Sequence, residues 1–402
     1  MPTKDDLQTQ IQENNSNSLD SLPDQQKNTL APAQSLRVAI IGGSNSIMRN
    51  GYTKYLQKNL IQKTKCNIEF NNFALGGVSS LFGIIQNRRH NIAKTHDVIL
   101  FEYCVNDRSA ISSGKYNPRM VGMALEGFIR QCLAMNPRCV IIILIFGTNQ
   151  SNYYNHGCLT SAVYESVARR YKIPVINVTE MLLEKTGIQF IKNLYDNDDS
   201  AHYKRPGGVR RVAKLIAEQI IEQQLLEIEE RKLSQYHRMY AGNLQNLQSF
   251  CNFDAALDSH GIEKSLYKNS FFEEAAYTIR GNYCLNFSLK GKLLGLMLKS
   301  DWYDGLIKII LGDRELITSS FSKYVKGESQ SNLNLLSLPY FRSFSCKTFT
   351  KLSIAVCESQ PQEYQLDLCK TQPKLPPQDW KFSIIGIAYT GSLTLLDNTY
   401  NN

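Results

Sequence analysis

Apolar positions follow two different rhythms along this chain. From residue 36 to about 223, short β-branched runs alternate with stretches of helical periodicity. The run Leu36-Arg-Val-Ala-Ile-Ile41 predicts a strand, closed by Gly42-Gly43, and a helical stretch follows over 52–62. Residues 67–71 read as a second strand ending at Gly76-Gly77, before a helical stretch over 81–93. A third strand is predicted over 97–103, a fourth over 139–146 and a fifth over 174–178, with helices over 120–135 and 161–171 between them. Residues 208–231 read as a long amphipathic helix with Val209, Val212, Ile216 and Ile220 in one stripe, which Gln223 and Gln224 interrupt. Strands alternating with helices predict an α/β fold: a parallel sheet covered on both faces, with ligands at the carboxyl ends of the strands.

The second rhythm begins near residue 271. Strand-like runs are predicted over 276–280, 284–288, 293–298, 306–311, 316–318, 349–357 and 382–390, with turn signals such as Lys290-Gly291, Asp304-Gly305 and Gly312-Asp313 between them. Many short strands at such spacing predict an all-β, jelly-roll or sandwich-like domain. The expected division is a disordered polar tail over 1–34, an α/β domain over 35–232, a helical connector over 233–269 and the β domain over 270–395.

Composition narrows the class. The chain has 402 residues, 43% of them hydrophobic, enough for packed cores in two domains. Its formal net charge is +9. The basic residues are scattered, as in Arg88-Arg89, Arg169-Arg170 and Arg210-Arg211, with no basic block interleaved with aromatics. No nucleic-acid partner is expected on that pattern, whereas attraction to an acidic glycan or an anionic surface stays open. No apolar run reaches the roughly 20 residues needed to cross a bilayer. The polar N-terminus lacks the apolar core of a secretory signal, so a cytoplasmic location with reduced thiols is expected for the ten cysteines. Their spacing gives no paired Cys/His cluster, and neither a metal nor a cofactor is expected.

The chemistry concentrates in two places. Asp199 lies three residues before His202, a spacing that a helical turn would place on one face, so that the carboxylate could orient the imidazole. Ser44, in Gly42-Gly43-Ser44-Asn45-Ser46, follows the first strand and offers a nucleophile. Two further blocks lie between: Asn72-Phe-Ala-Leu-Gly76-Gly77-Val-Ser79 after the second strand, and Cys104-Val105-Asn106-Asp107 after the third. The four blocks, in this order, resemble those of the SGNH, or GDSL, hydrolase superfamily over residues 36–223. Gly43 stands where that family has aspartate, and Cys104 where it has glycine.

The resemblance implies a flavodoxin-like three-layer α/β/α domain and a serine esterase. Ser44 would be the nucleophile, His202 the base and Asp199 its partner, with Asp196 and Asp198 as neighbours of less fitting spacing. The oxyanion hole would comprise the backbone N–H groups of Ser44 and Gly77 and the side chain of Asn106. Each has a plainer reading: Ser44 as a helix cap, His202 as a surface residue, Asn106 and Gly77 as turn residues. Asp107 is expected to be structural, and Gly43 to loosen its loop. Asn45, Cys104, Tyr153 and Tyr154 are expected against the substrate, with loop packing as the rival for the tyrosines and an inert buried thiol for Cys104. His156 is a weaker candidate base. Trp302 and Tyr303, at a turn of the β domain, could touch a sugar or simply pack. The expected function is hydrolysis of acyl, above all acetyl, esters of a carbohydrate. Acyl transfer through the same triad and a glycan-binding scaffold on a decayed hydrolase fold are the alternatives. Oligomeric state is not legible.

Overall fold

The computed structural model describes residues 35–64, 66–149, 158–196, 198–257, 261–322, 325–338, 344–359 and 373–396. The expected tail over 1–34 lies outside them, as do Tyr153, Tyr154 and His156.

The α/β half is built on β1 (Ser35–Gly42), β2 (Asn67–Asn72), β3 (Val98–Glu102), β4 (Val140–Ile145) and β5 (Val175–Asn177). They form one parallel sheet in the order β2-β1-β3-β4-β5, the flavodoxin-like order. The helices are α1 (Ser44–Ile47), α2 (Tyr52–Thr64), α3 (Ser80–His90), α4 (Ile92–Thr95), α5 (Cys104–Ser112), α6 (Pro118–Met135), α7 (Leu159–Tyr171), α8 (Val178–Thr186), α9 (Ile188–Lys192) and α10 (Gly207–Glu222). The inner strands β3 and β4, and most of β1, are buried on both faces because both faces are covered. Ile141, Ile143 and Ile145 of β4 enter the core with Phe82, Phe128 and Tyr164, while Val140, Ile142 and Leu144 enter the opposite core with Leu56, Val212 and Ile216. Asn117, with Pro118 behind it, starts α6 by accepting the Met120 N–H at 2.9 Å. The helix expected over 208–231 stops at Glu222. Gln224 adopts φ 52°, so the chain leaves the helix where the two glutamines break the stripe.

Asp199 and His202 do not share a helical turn. They lie in β7 (Asp199–Tyr203), which pairs with β6 (Tyr195–Asp196). The reason is local: Asp199 Oδ1 accepts the N–H groups of Ala201 and His202 at 3.0 and 3.1 Å, fixing a turn-like start in place of helical bonds.

The β half is one antiparallel sheet of nine strands. They are β8 (Gln248–Phe250), β9 (Ile262–Lys268), β10 (Glu273–Arg280), β11 (Cys284–Ser300), β12 (Leu306–Leu311), β13 (Arg314–Ser319), β14 (Asn332–Ser337), β15 (Ser345–Val356) and β16 (Lys381–Leu395). The runs expected at 284–288 and 293–298 are a single strand, β11. A register shift between Leu289 and Gly291 bends it, and its partner on one edge changes from β15 to β14. That bend lets the sheet fold over a core of Phe287, Leu296, Ile309, Ile354 and Phe382. Gly291 and Gly391 face each other there: a Cβ on Gly291 would lie 1.9 Å from the Thr390 carbonyl oxygen.

The segment 233–269, expected to be helical, holds three single-turn 3₁₀ segments and the strands β8 and β9. Buried Glu126 on α6 accepts the N–H of Tyr240 at 2.9 Å and the Asn243 side chain at 3.1 Å, so tertiary bonds replace helical ones. The two halves share a core: Leu294, Met297, Leu333 and Ile385 pack with Leu81 and Leu125. Beside it the Arg89 guanidinium meets the Glu274 carboxylate at 2.6 Å, with side-chain exposures of 9% and 7%. Trp302 is not an open platform, since it packs edge-on against Phe321 beneath the Lys374 ammonium. Among the described residues no helix is long and apolar enough to cross a membrane.

Candidate active site

The carboxyl end of β1 is crowded in a way that only glycine permits. A Cβ on Gly42 would lie 2.5 Å from Ser46 Oγ, and one on Gly43 would lie 2.0 Å from Asn106 Oδ1. The next residue, Ser44, begins α1. Four residues do not hold a helical turn alone, and side chains from elsewhere hold this one. Asn45 Nδ2 donates to the Ala201 carbonyl at 3.0 Å, and Asn72 Nδ2 to the Ser46 carbonyl at 2.7 Å. Ser46 Oγ donates to Glu102 Oε2 at 2.9 Å and accepts from the Tyr52 hydroxyl at 2.9 Å.

Ser44 does not cap the helix: the cap position is Gly43, with no side-chain cap bond. Its Oγ lies 2.7 Å from His202 Nε2. On the other side of the ring, Nδ1 lies 2.7 Å from Asp199 Oδ2. A carboxylate on Nδ1 fixes the proton there and leaves Nε2 to accept from the Ser44 hydroxyl. Burial raises the Asp199 carboxyl, but the N–H of Ala201 and the His202 imidazole outweigh it, so the group stays below the usual carboxylate range. Asp199 and His202 side chains are 43% and 27% exposed, so this run of contacts opens to solvent.

Two more expected residues meet at the same place. The Gly76-Gly77 loop passes directly beside the serine, since a Cβ on Gly76 would lie 3.4 Å from Ser44 Cβ. Gly77 takes φ 77°, a left-handed conformation suited to glycine, and is exposed. Asn106, in the first turn of α5, packs its amide on Gly43. Its Oδ1 is buried without a hydrogen-bond partner, so the side chain does not serve a local turn. Such a set can take a proton from a hydroxyl and present donors to an oxyanion.

Two expected substrate contacts are placed otherwise. Asn45 is 3% exposed and spends its amide on Ala201, so it ties the serine loop to the histidine loop. Cys104 is 1% exposed and turns into the core, 3.6 Å from Ser161 Oγ on α7. Its thiol also hydrogen-bonds Cys158, which with burial holds it well above the ordinary thiol range. The cysteine therefore narrows no pocket. Gly43 does not loosen its loop either: its N–H donates to the Glu102 carbonyl at 2.8 Å. Asp107 accepts the Ser80 N–H at 2.9 Å and the Tyr164 hydroxyl at 2.8 Å, and burial raises it to about 6. Past β4, the Asn149 N–H donates to the Ser200 carbonyl at 2.7 Å, bracing the histidine strand.

Glu102 was missed. It is fully buried, and burial raises its carboxyl to about 8 despite donors from Ser46 and Gly43. Both donors meet Oε2, while Oε1 has no partner. The signal was available as one acid closing an otherwise apolar strand, Val98-Ile-Leu-Phe-Glu102. Among the described residues no group of three or more His, Cys, Asp or Glu could hold a metal ion.

A scan of protein-family models finds no match, and a search of curated protein sequences finds none. Solved structures do match. A two-domain esterase active on acetylated mannans aligns over 90% of this chain and 93% of its own, at a TM-score of 0.59 and 13% identity. The same enzyme co-crystallised with mannopentaose aligns over 90% and 92%, again at 0.59 and 13%. An acetyl xylan esterase aligns over 46% of this chain and all of its own, at 0.39 and 17%. The chain thus shares its fold, an α/β half followed by a β half, with the two-domain esterase over nearly the whole length of both.

Proposed function

We propose that this protein is a serine esterase that removes acetyl groups from an acylated carbohydrate. The observation that carries the reading is the continuous relay Ser44–His202–Asp199, with both links at 2.7 Å. The shared architecture with an esterase active on acetylated mannans supports the substrate class.

In this reading the Ser44 oxygen bonds to the acetyl carbonyl carbon while its proton passes to His202 Nε2. The carbonyl oxygen becomes an oxyanion, met by the N–H of Ser44, the N–H of Gly77 and the Asn106 amide. The bond to the sugar oxygen then breaks, and that oxygen leaves with the proton from His202. A water molecule gives its proton to His202 and adds to the acyl-serine, releasing acetate and restoring Ser44. Asp199 keeps the ring in the tautomer these steps need. The Asp107 carboxylate anchors α3 and Tyr164 and takes no part.

The test is hydrolysis of an aryl acetate and of acetylated mannan by the purified protein. Wild type should release acetate from both, and S44A and H202A from neither. Release of an intact acetyl group onto an added sugar, seen by product mass, would instead identify a transferase. Full activity in S44A would overturn the reading.

A further inference from the structure

Arg210 and Arg211 are the fourth and fifth residues of α10, whose first turn has no acidic residue. The N-terminal end of a helix is positive, so two cations there lower stability unless something offsets them. Both guanidinium groups are held in place by aromatic rings: Arg210 lies 5.1 Å above Tyr55, and Arg211 lies 4.3 Å above Phe190. Stacking of this kind fixes the plane and leaves the N–H edge free. Together with Lys204 and Lys214 they line a cavity of about 540 Å³, walled also by Phe190 and Asn193. No carboxylate lines it. The carboxylates paired with the two lysines, Asp196 and Glu218, stand at 3.9 and 3.8 Å, the outer limit of an ion pair. Four exposed cations thus border one open depression, two of them near the helix end that disfavours them. A bound anion would relieve both the mutual repulsion and the clash with the helix dipole.

Lys204 follows His202 by two residues, ~7 Å of extended chain. We propose, building on the esterase reading, that this cavity binds an oxyanion carried by the substrate, so that the substrate is an acylated anionic polysaccharide. Guanidinium groups pair with carboxylate and with phosphate alike.

The experiment uses full-length S44A, which keeps polymer intact, with R210Q/R211Q and K214Q built on it. Binding is measured to polygalacturonate, phosphomannan, neutral mannan and phosphatidylglycerol vesicles. S44A should bind an anionic polymer at least about tenfold more tightly than neutral mannan, a preference that added salt weakens. Preference for polygalacturonate alone identifies a carboxylate, and for phosphomannan alone a phosphate. R210Q/R211Q should abolish the preference and K214Q reduce it. With Ser44 present, both should hydrolyse an aryl acetate as wild type does, which shows that they fold. Equal binding of neutral mannan overturns the proposal. So does a preference that survives R210Q/R211Q, or retention on vesicles without retention on polymer. An inactive wild type overturns the esterase reading alone, because the binding arms do not use Ser44.

Discussion

Gly43 and Asn106 occupy one another's space: a Cβ on Gly43 would fall 2.0 Å from Asn106 Oδ1 and 2.7 Å from Cγ. The aspartate that the resembling family carries at this position therefore cannot be added here without moving Asn106. G43A should lower kcat on an aryl acetate about 10²-fold, the low end of what loss of one oxyanion donor costs, with little change in KM. N106A should do the same, and G43A/N106A should be no worse than either single variant. Additive losses in that cycle would show that the two residues act separately.

Glu102 makes stability depend on pH. Its carboxyl titrates at about 8 in the fold against an ordinary 4.5. Between those values the folded chain holds a proton that the unfolded chain has released, so stability falls as pH rises. The slope is at most ~1.4 kcal/mol per pH unit for this group. Asp107, raised to about 6, adds to the slope only below that pH. Denaturant midpoints at pH 6, 7 and 8 should decline for wild type and flatten for E102Q. Equal slopes in the two proteins would remove Glu102 from the account.

The Arg89–Glu274 pair joins the two halves in a dry setting. E274A leaves a buried guanidinium without its partner and should cost about 3–5 kcal/mol of unfolding free energy. Replacing both residues by apolar ones, as in R89M/E274L, should cost much less. A double replacement as harmful as E274A would mean that the loss comes from packing instead of charge.

Cys158 differs from its neighbour Cys104. The bond from the Cys104 thiol lowers Cys158 to about 5, and Cys158 is only partly buried. Iodoacetamide at pH 7 should alkylate Cys158 first and spare Cys104, as peptide mass spectrometry can read. First reaction at Cys104 would contradict the packing described for it.

Much of this arrangement is legible in the sequence, for a physical reason. Strands buried on both faces must be nearly all apolar, so β1, β3 and β4 stand out as Val/Ile runs, and the glycines that end β1 are demanded by Ser46 and Asn106. Ser44, Gly77 and Asn106 could be picked out because they lie in short blocks at strand ends, and Asp199 and His202 because of their three-residue spacing. What stayed hidden depends on contacts between distant segments. Glu126 organises residues 239–243 from inside an apolar helix, and nothing near 240 announces it. β8, β9 and β14 are edge or branch strands without regular alternation, so their pairing is set by β10, β11 and β16. Asn45 looks like a substrate contact until Ala201 is found against it. The bonds that Asp199 accepts from the Ala201 and His202 N–H groups made a turn into a strand where spacing alone suggested a helical turn.

The most direct test of the central claim is labelling by a fluorophosphonate, followed by mapping of the modified peptide. The account predicts one adduct, on Ser44, lost in H202A and slowed about 10⁴-fold in D199N by the wrong imidazole tautomer. An adduct on another residue, or labelling of Ser44 that proceeds unchanged in H202A, would contradict it.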